Sequence, residues 1–184
     1  MNPKLGIAVV GCGRIGDTHI DAISQNSDNA YLAAVVDVIP ERARSAGERY
    51  GVPFYTSLDE AMRHPEIEAV VICLPHSQHL PATAIAARAG RHVLIEKVMA
   101  RNISEARKMV RVCEENGVTL MVGQSQRYFF GTQEARRRRS EIGRVLHMVY
   151  TWTTHFDKNN APPWWRSVNE TGGLIIPMVG YLAP

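Results

Sequence analysis

Short apolar runs alternate with segments of helical periodicity through the first two thirds of the chain. The apolar runs are continuous rather than alternating, and they occupy residues 4–10, 30–38, 68–75, 92–96 and 118–123, with a shorter candidate at 53–57. Helical patterns separate them at 16–25, 40–51, 58–64, 79–90 and 104–117. Such strands are typical of a parallel sheet that is covered on both faces. The pattern predicts a doubly wound α/β domain over residues 1–123.

Helix-end signals support this division. Pro40 stands at a helix start and Gly51 at its end, while Ser104 is a candidate N-cap and Gly117 a candidate C′ residue of the last helix.

The pattern changes after Gly123. Residues 133–145 predict a helix and a turn, and residues 145–156 alternate loosely and are rich in β-branched and aromatic side chains, which favours a strand of a different sheet. Residues 157–173 are typical of a loop. We therefore expect residues 124–184 to form the beginning of an incomplete α+β second domain.

Composition limits the classes of protein to be considered. The 184 residues are 45% hydrophobic and 21% charged, with a net charge of +3, which is ordinary for a globular protein. The four arginines at 136–139 lack interleaved aromatic residues, so they favour a solvated helix face over a nucleic-acid partner. The three cysteines match neither a metal-site pattern nor a redox pair. With no apolar stretch near about 20 residues and no room for a signal peptide before residue 5, we expect a cytoplasmic protein without a membrane partner.

A glycine-rich loop joins the first strand to the first helix. Gly11, Gly13 and Gly16 have G-x-G-x-x-G spacing in the context that dinucleotide-binding folds use. Free N–H groups at the helix start attract phosphate, so we expect Arg14 and Ile15 to contact the cofactor together with the glycines. A purely structural turn and an S-adenosylmethionine site are the alternatives.

An acidic residue ends the second strand. Asp37 lies roughly 20 residues after the loop, where a carboxylate can accept hydrogen bonds from ribose hydroxyls and repel a 2′-phosphate. This favours NAD over NADP, although Arg42 and Arg44 nearby weaken the preference.

Two later strand ends add candidates at the same edge of the sheet. Leu74 and Pro75 would cover the cofactor, and His79 opens the next helix, where a cofactor contact and a structural role are equally favoured. His76 is interpreted as structural.

Two adjacent charges follow the strand at 92–96. Lys97 at that edge could hydrogen-bond a substrate hydroxyl and take up its proton as hydride leaves. Glu96 could hold the lysine in place or contact the ribose. A surface ion pair is the alternative interpretation.

Together these segments resemble the Gfo/Idh/MocA family, which includes glucose–fructose oxidoreductase, inositol dehydrogenase and related sugar dehydrogenases. The resemblance is specific over residues 5–130 and weaker to Gly173. It implies dinucleotide binding by the glycine loop and the acid, and catalysis by Lys97, which falls in the family's Glu-Lys-Pro motif. By the same resemblance, Arg127, Trp165 and Arg166 approach the cofactor.

The chain departs from the family at Val98, which replaces the motif's proline. A non-proline cis bond would cost about 3–4 kcal/mol, so we expect this loop to be trans or less rigidly set.

A second departure concerns the family's Asp and His, which bind substrate and assist proton transfer. Met178 and Leu182 align with them, and Pro177 would break their helix. A premature end after a reading-frame change near Ile176 would explain both losses. His155 is the nearest substitute acid–base group and is interpreted as a strand-edge residue.

Two functional hypotheses therefore remain. The first is an NAD-dependent dehydrogenase with a sugar or polyol substrate, forming a homo-oligomer through the sheet of its second domain. The second is a non-catalytic dinucleotide-binding protein.

Overall fold

A single parallel sheet organises the part of the chain that the computed structural model describes, namely residues 4–25, 28–147, 149, 151 and 162–172. Its six strands are β1 (Leu5–Val10), β2 (Ala30–Val36), β3 (Phe54–Tyr55), β4 (Ala69–Ile72), β5 (His92–Glu96) and β6 (Leu120–Gly123). Their order is β3-β2-β1-β4-β5-β6, and every neighbouring pair is parallel. The predicted doubly wound α/β fold is confirmed.

Helices connect consecutive strands and continue beyond the sheet. They are α1 (Arg14–Gln25), α2 (Pro40–Tyr50), α3 (Leu58–Ala61), α4 (His79–Arg88), α5 (Ile103–Glu115), α6 (Phe130–Arg137) and α7 (Val168–Thr171). Short 3₁₀ helices cover His76–Gln78, Ser125–Tyr128, Arg139–Ile142 and Pro163–Arg166. Within the described ranges, no helix combines the length and the apolar character needed to cross a bilayer.

The two faces of the sheet carry separate hydrophobic cores. Val10 packs in the core that contains Met109 of α5, whereas its neighbour Val9 packs in the core that contains Ile20 of α1. Successive side chains of a strand point to opposite faces, so a sheet with helices on both sides buries every position. This explains why the strands are continuously apolar.

Three of the four helix-end assignments agree with the structure. Pro40 begins α2, and Gly51 and Gly117 adopt positive φ angles of 68° and 66° after their helices. The prediction for Ser104 is wrong, because α5 begins at Ile103 and its N-cap, two residues before Ser104, is Asn102, which accepts the Glu105 N–H at 2.9 Å. Asn and Ser are equally good caps, so their order in the sequence could not decide between them.

The region after β6 is helical first, as predicted, with α6 and a 3₁₀ turn. The strand predicted for residues 145–156 is not present at the described residues 145–147, where Val145 and Leu146 are exposed. Val149 is also exposed, and Trp152 and Phe156 lie outside the described residues. The domain boundary at residue 123 remains a prediction.

Candidate functional site

A cavity of about 540 Å³ lies over the carboxyl ends of β1, β4 and β5. Connections from β1 and from β4 run to opposite sides of the sheet, and doubly wound proteins bind ligands at such a reversal point. The volume suits a small-molecule or cofactor ligand. Its lining comprises Cys12, Gly13, Arg14, Ile15, Asp17, Arg42, Cys73, Leu74, His76, Glu96, Lys97, Pro162, Pro163, Trp164 and Trp165.

The glycine loop is closely packed below the cavity and open above it. Gly11 has a φ of 98°, and a Cβ there would lie 2.5 Å from the carbonyl oxygen of Cys73. A Cβ at Gly16 would lie 1.8 Å from the carbonyl oxygen of Gly11. At Gly13, by contrast, a Cβ would meet no atom within 4 Å. Packing therefore requires glycine at positions 11 and 16, whereas Gly13 leaves its backbone open to a ligand.

Asp37 ties the glycine loop to the end of β2. Its Oδ2 accepts the N–H of Cys12 at 2.8 Å, and its Oδ1 accepts the N–H of Ile39 at 2.9 Å. The residue is only 7% exposed and does not line the cavity. Each oxygen keeps a second lone pair, so the carboxylate can hold the loop and still accept a further hydrogen bond.

Both cavity thiols are protonated rather than reactive. Burial, with a smaller contribution from Asp37, raises the pKa of Cys12 to about 12. Burial also raises the pKa of Cys73, and the charge of Glu96 adds to this effect. The cysteines therefore contribute neutral surface to the cavity wall.

Glu96 and Lys97 lie on the cavity wall as part of the loop after β5. Glu96 Oε1 lies 2.8 Å from Nε2 of His19 on α1, and Glu96 Oε2 accepts the backbone N–H of Lys97 at 3.1 Å. His19 is not among the residues predicted from the sequence. The sequence signal that could have identified it is its position in the helix that follows the glycine loop.

The peptide bond between Lys97 and Val98 is cis, so the expected trans geometry is wrong. That expectation weighed the peptide's intrinsic preference alone, whereas contacts from neighbouring elements define this loop. His79 approaches the carbonyl oxygen of Met99 through Nδ1 at 3.1 Å and that of Leu74 through Nε2 at 2.9 Å.

His79 itself is fully buried. Burial lowers the pKa of His79, against the opposing effect of its hydrogen bonds to the backbone of Met99, Leu74 and Val98. The structure does not bring its ring to the cavity surface. His79 instead connects the loops that follow β4 and β5.

His76 lines the cavity although only 3% of it is exposed. Its ring meets Trp164 edge-on at a centroid distance of 5.1 Å and His79 at 5.3 Å. Burial, and next the neighbouring His79, lowers the pKa of His76 to about 4, so the ring is neutral at pH 7. Its Nδ1 is buried and has no partner in the described part of the chain.

Residues 162–165 form one wall of the cavity. Trp164 and Trp165 line it, and the helix that follows is attached to the Rossmann-type domain at two points. The Ser77 hydroxyl donates to Glu170, and the Arg101 guanidinium donates to the carbonyl of Asn169.

The residues predicted from sequence fall into three groups. Seven line the cavity: Gly13, Arg14, Ile15, Leu74, Glu96, Lys97 and Trp165. Five others do not line it but lie in or next to the loops that do: Gly11, Gly16, Asp37, Pro75 and His79. Arg127 is exposed and does not line the cavity, and the Arg166 side chain is not described.

The chain's departure from the family's Asp and His cannot be followed in the structure, because the residues concerned lie outside the described ranges. These residues are His155, Ile176, Pro177, Met178 and Leu182. Within the part that is described, no three His, Cys, Asp or Glu side chains converge as a metal site would require.

The open backbone at Gly13, the first turn of α1 and the adjoining cavity together fit a dinucleotide. The N–H groups at the start of a 12-residue helix suit a pyrophosphate. The apolar Ile15, Leu74 and Trp165 offer surface to flat rings.

Comparison with known proteins gives the same picture. A family model described as an oxidoreductase family with an NAD-binding Rossmann fold matches residues 5–124. The inositol 2-dehydrogenase of Rhizobium meliloti is 34% identical over 175 residues, which cover 95% of this chain and 51% of that protein.

Two solved structures share the fold. The WlbA dehydrogenase of Bordetella pertussis, in complex with NADH and UDP-GlcNAcA, has a TM-score of 0.72 at 33% identity and covers 76% of this chain and 42% of its own. The scyllo-inositol dehydrogenase of Lactobacillus casei, with bound NAD(H) and scyllo-inositol, has a TM-score of 0.70 at 26% identity, covering 76% and 42%. The chain thus spans about half the length of the relatives it matches.

Proposed function

Because the chain belongs to the Gfo/Idh/MocA oxidoreductase family, we propose that the protein is an NAD-dependent oxidoreductase that transfers hydride from a sugar or polyol carbon. The observation that carries the proposal is that Glu96 and Lys97 share one cavity with the open backbone of Gly13. The names of the relatives support an inositol-like substrate.

The residues that would hold NAD follow from the geometry of the cavity. The N–H groups of residues 13–16, at the start of α1, would bind the pyrophosphate, and Asp37 would accept from a ribose hydroxyl through a remaining lone pair. Leu74 and Trp165 would enclose the rings and exclude water. NAD, when bound, supplies the hydride acceptor.

Lys97 would act on the substrate hydroxyl. As the carbon–hydrogen electron pair leaves with the hydride, the hydroxyl proton passes to the lysine amine and a carbonyl group forms. Glu96 would keep the lysine loop in place through the backbone N–H of Lys97.

The test combines binding and turnover. We expect NADH to bind with enhanced nicotinamide fluorescence, and a polyol panel to reveal substrates by NADH absorbance. Lys97→Ala should remove turnover and retain NADH binding, whereas Lys108→Ala, on the exposed face of α5, should change neither. Persistent turnover in Lys97→Ala would refute the role of the lysine.

A non-catalytic dinucleotide-binding protein is the second candidate. The sequence favours this non-catalytic candidate because Met178 and Leu182 align with the family's Asp and His, and neither side chain can exchange a proton. NADH binding by the chain with no turnover on any polyol would select this candidate. If the chain does not bind NADH at all, both candidate functions are excluded.

Self-association and a cytoplasmic location remain proposals. Exposed apolar side chains after β6, including Phe129, Phe130 and Leu146, support association because such surface is unfavourable in water. Sedimentation of the chain at several concentrations tests it, and a concentration-independent monomer would contradict it.

A further inference from the structure

A histidine outside the predicted set contacts the lysine loop. His19 lies in the second turn of α1, and its Nε2 is 2.8 Å from Oε1 of Glu96, 77 residues later in the chain. Both side chains are mostly buried, with 24% and 17% of their surface exposed. Partial burial limits competition from water for this hydrogen bond, so the contact is expected to define the position of Glu96.

Glu96 is held through both of its oxygens. Oε1 faces His19, and Oε2 accepts the backbone N–H of Lys97. Gly123 at the end of β6 leaves room for this carboxylate, since an added Cβ there would lie 3.4 Å from Oε1. Each oxygen therefore has a defined partner within the described part of the chain, and His19 is the partner of Oε1.

We propose that His19 is a positioning residue for Lys97 that acts through Glu96. The inference rests on the proposed function, since it assigns His19 to the site where Lys97 would meet the substrate. Arg14 and Ile15 at the start of α1 line the same cavity. One helix thus carries both cofactor-loop residues and the group that orients the lysine loop.

The physical consequence concerns the charge next to Lys97. Without His19, Oε1 loses its partner and the carboxylate is free to turn toward the neighbouring ammonium. An ammonium that is hydrogen-bonded by a carboxylate oxygen is held in place and is less accessible to a reagent. The lysine would then react more slowly as a nucleophile, which can be measured without cofactor, substrate or turnover.

The experiment measures the rate at which acetic anhydride acylates Lys97 in the full chain, read by peptide mass spectrometry with Lys108 as internal reference. We expect His19→Leu to slow Lys97 acylation about threefold. His19→Gln retains an N–H donor and should restore the wild-type rate, whereas His19→Asn is too short to reach and should behave like the leucine variant. His147→Leu, at an exposed histidine, is the matched control and should have no effect.

A double-mutant cycle identifies the route of the effect. If His19 acts through Glu96, then His19→Asn added to Glu96→Gln should leave the acylation rate of the single Glu96→Gln variant unchanged. An unchanged rate in His19→Asn alone, or a full additional effect in the Glu96→Gln background, would overturn the proposal. Because the assay uses no NAD, failure to bind NADH would refute the proposed function without altering this result.

Discussion

The carboxylate of Asp37 accepts the backbone N–H of Cys12 at 2.8 Å, joining the end of β2 to the glycine loop 25 residues earlier in the chain. The same carboxylate also accepts the N–H of Ile39. Asp37, which the sequence predicts as a ribose contact, therefore also stabilises the protein backbone. It fixes the loop on which the pyrophosphate would rest.

This relationship changes the effect expected of Asp37→Ala. Removing the carboxylate leaves two backbone donors without their partner, one of them buried, so the free energy of unfolding should fall by about 1–3 kcal/mol. Affinity for NADH should fall because the loop loses its anchor and the ribose loses an acceptor, and affinity for NADPH should fall less because the charge that would repel its 2′-phosphate is also removed. Urea unfolding and fluorescence titration measure these effects.

Asp28→Ala, at an exposed aspartate, is the control for the Asp37 variant and should leave both quantities unchanged. Undiminished stability of Asp37→Ala, with loss of NADH affinity only, would show that the loop does not depend on this carboxylate.

The glycines of the loop should respond in opposite ways to substitution. Gly16→Ala places a Cβ 1.8 Å from a carbonyl oxygen, so something must shift and the protein should be destabilised by about 1–3 kcal/mol. Gly13→Val adds a side chain in open space, so it should fold normally and lose NADH binding. Thermal unfolding together with NADH titration separates the two effects, and normal NADH affinity in a folded Gly13→Val variant would contradict the placement of the cofactor.

The parallel sheet could be predicted from sequence because burial on both faces makes the strands continuously apolar. The adjacent Val9 and Val10, which pack on opposite faces, are an example. The resemblance to the oxidoreductase family is likewise confirmed. The N-cap of α5 could not be decided, since Asn102 and Ser104 have equal propensity and packing selects the helix start.

The placement of Gly13 and Lys97 on one cavity was predictable because both lie in sequence motifs, while their roles there remain predictions. The site was not predictable where contacts are long-range. The pairing of His19 with Glu96 and the edge-on packing of His76 on Trp164 join residues 77 and 88 positions apart (96 − 19 and 164 − 76), and no local pattern records them. The cis bond after Lys97 is a similar case.

Stability should fall in mild acid because of His76. Its pKa is lowered from 6.5 to about 4 in the folded protein, chiefly by burial, so the unfolded chain binds more protons between these values. The contribution of the neutral ring is present above pH 6.5 and is lost as the pH falls toward 4, amounting to about 2 kcal/mol between pH 7 and pH 5. Urea unfolding at the two pH values measures it.

His76→Phe provides the comparison, since it keeps an aromatic ring against Trp164 and removes the titration. The difference in unfolding free energy between pH 7 and pH 5 should be about 2 kcal/mol smaller in this variant. An equal pH dependence in both proteins would show that other groups are responsible.

Cofactor choice should depend on Arg42. It is exposed, lies in the first turn of α2 and lines the cavity, whereas the carboxylate of Asp37 is buried and engaged with backbone donors. Its guanidinium is therefore the more accessible charge for a 2′-phosphate. Arg42→Ala should weaken NADPH binding by about 1 kcal/mol, or roughly fivefold, with little change for NADH.

Arg44→Ala, exposed on the same helix but outside the cavity lining, should leave the ratio of the two affinities unchanged. If Arg42→Ala alters neither affinity, or both equally, the guanidinium does not face the ribose end of the cofactor, and discrimination rests with Asp37 alone.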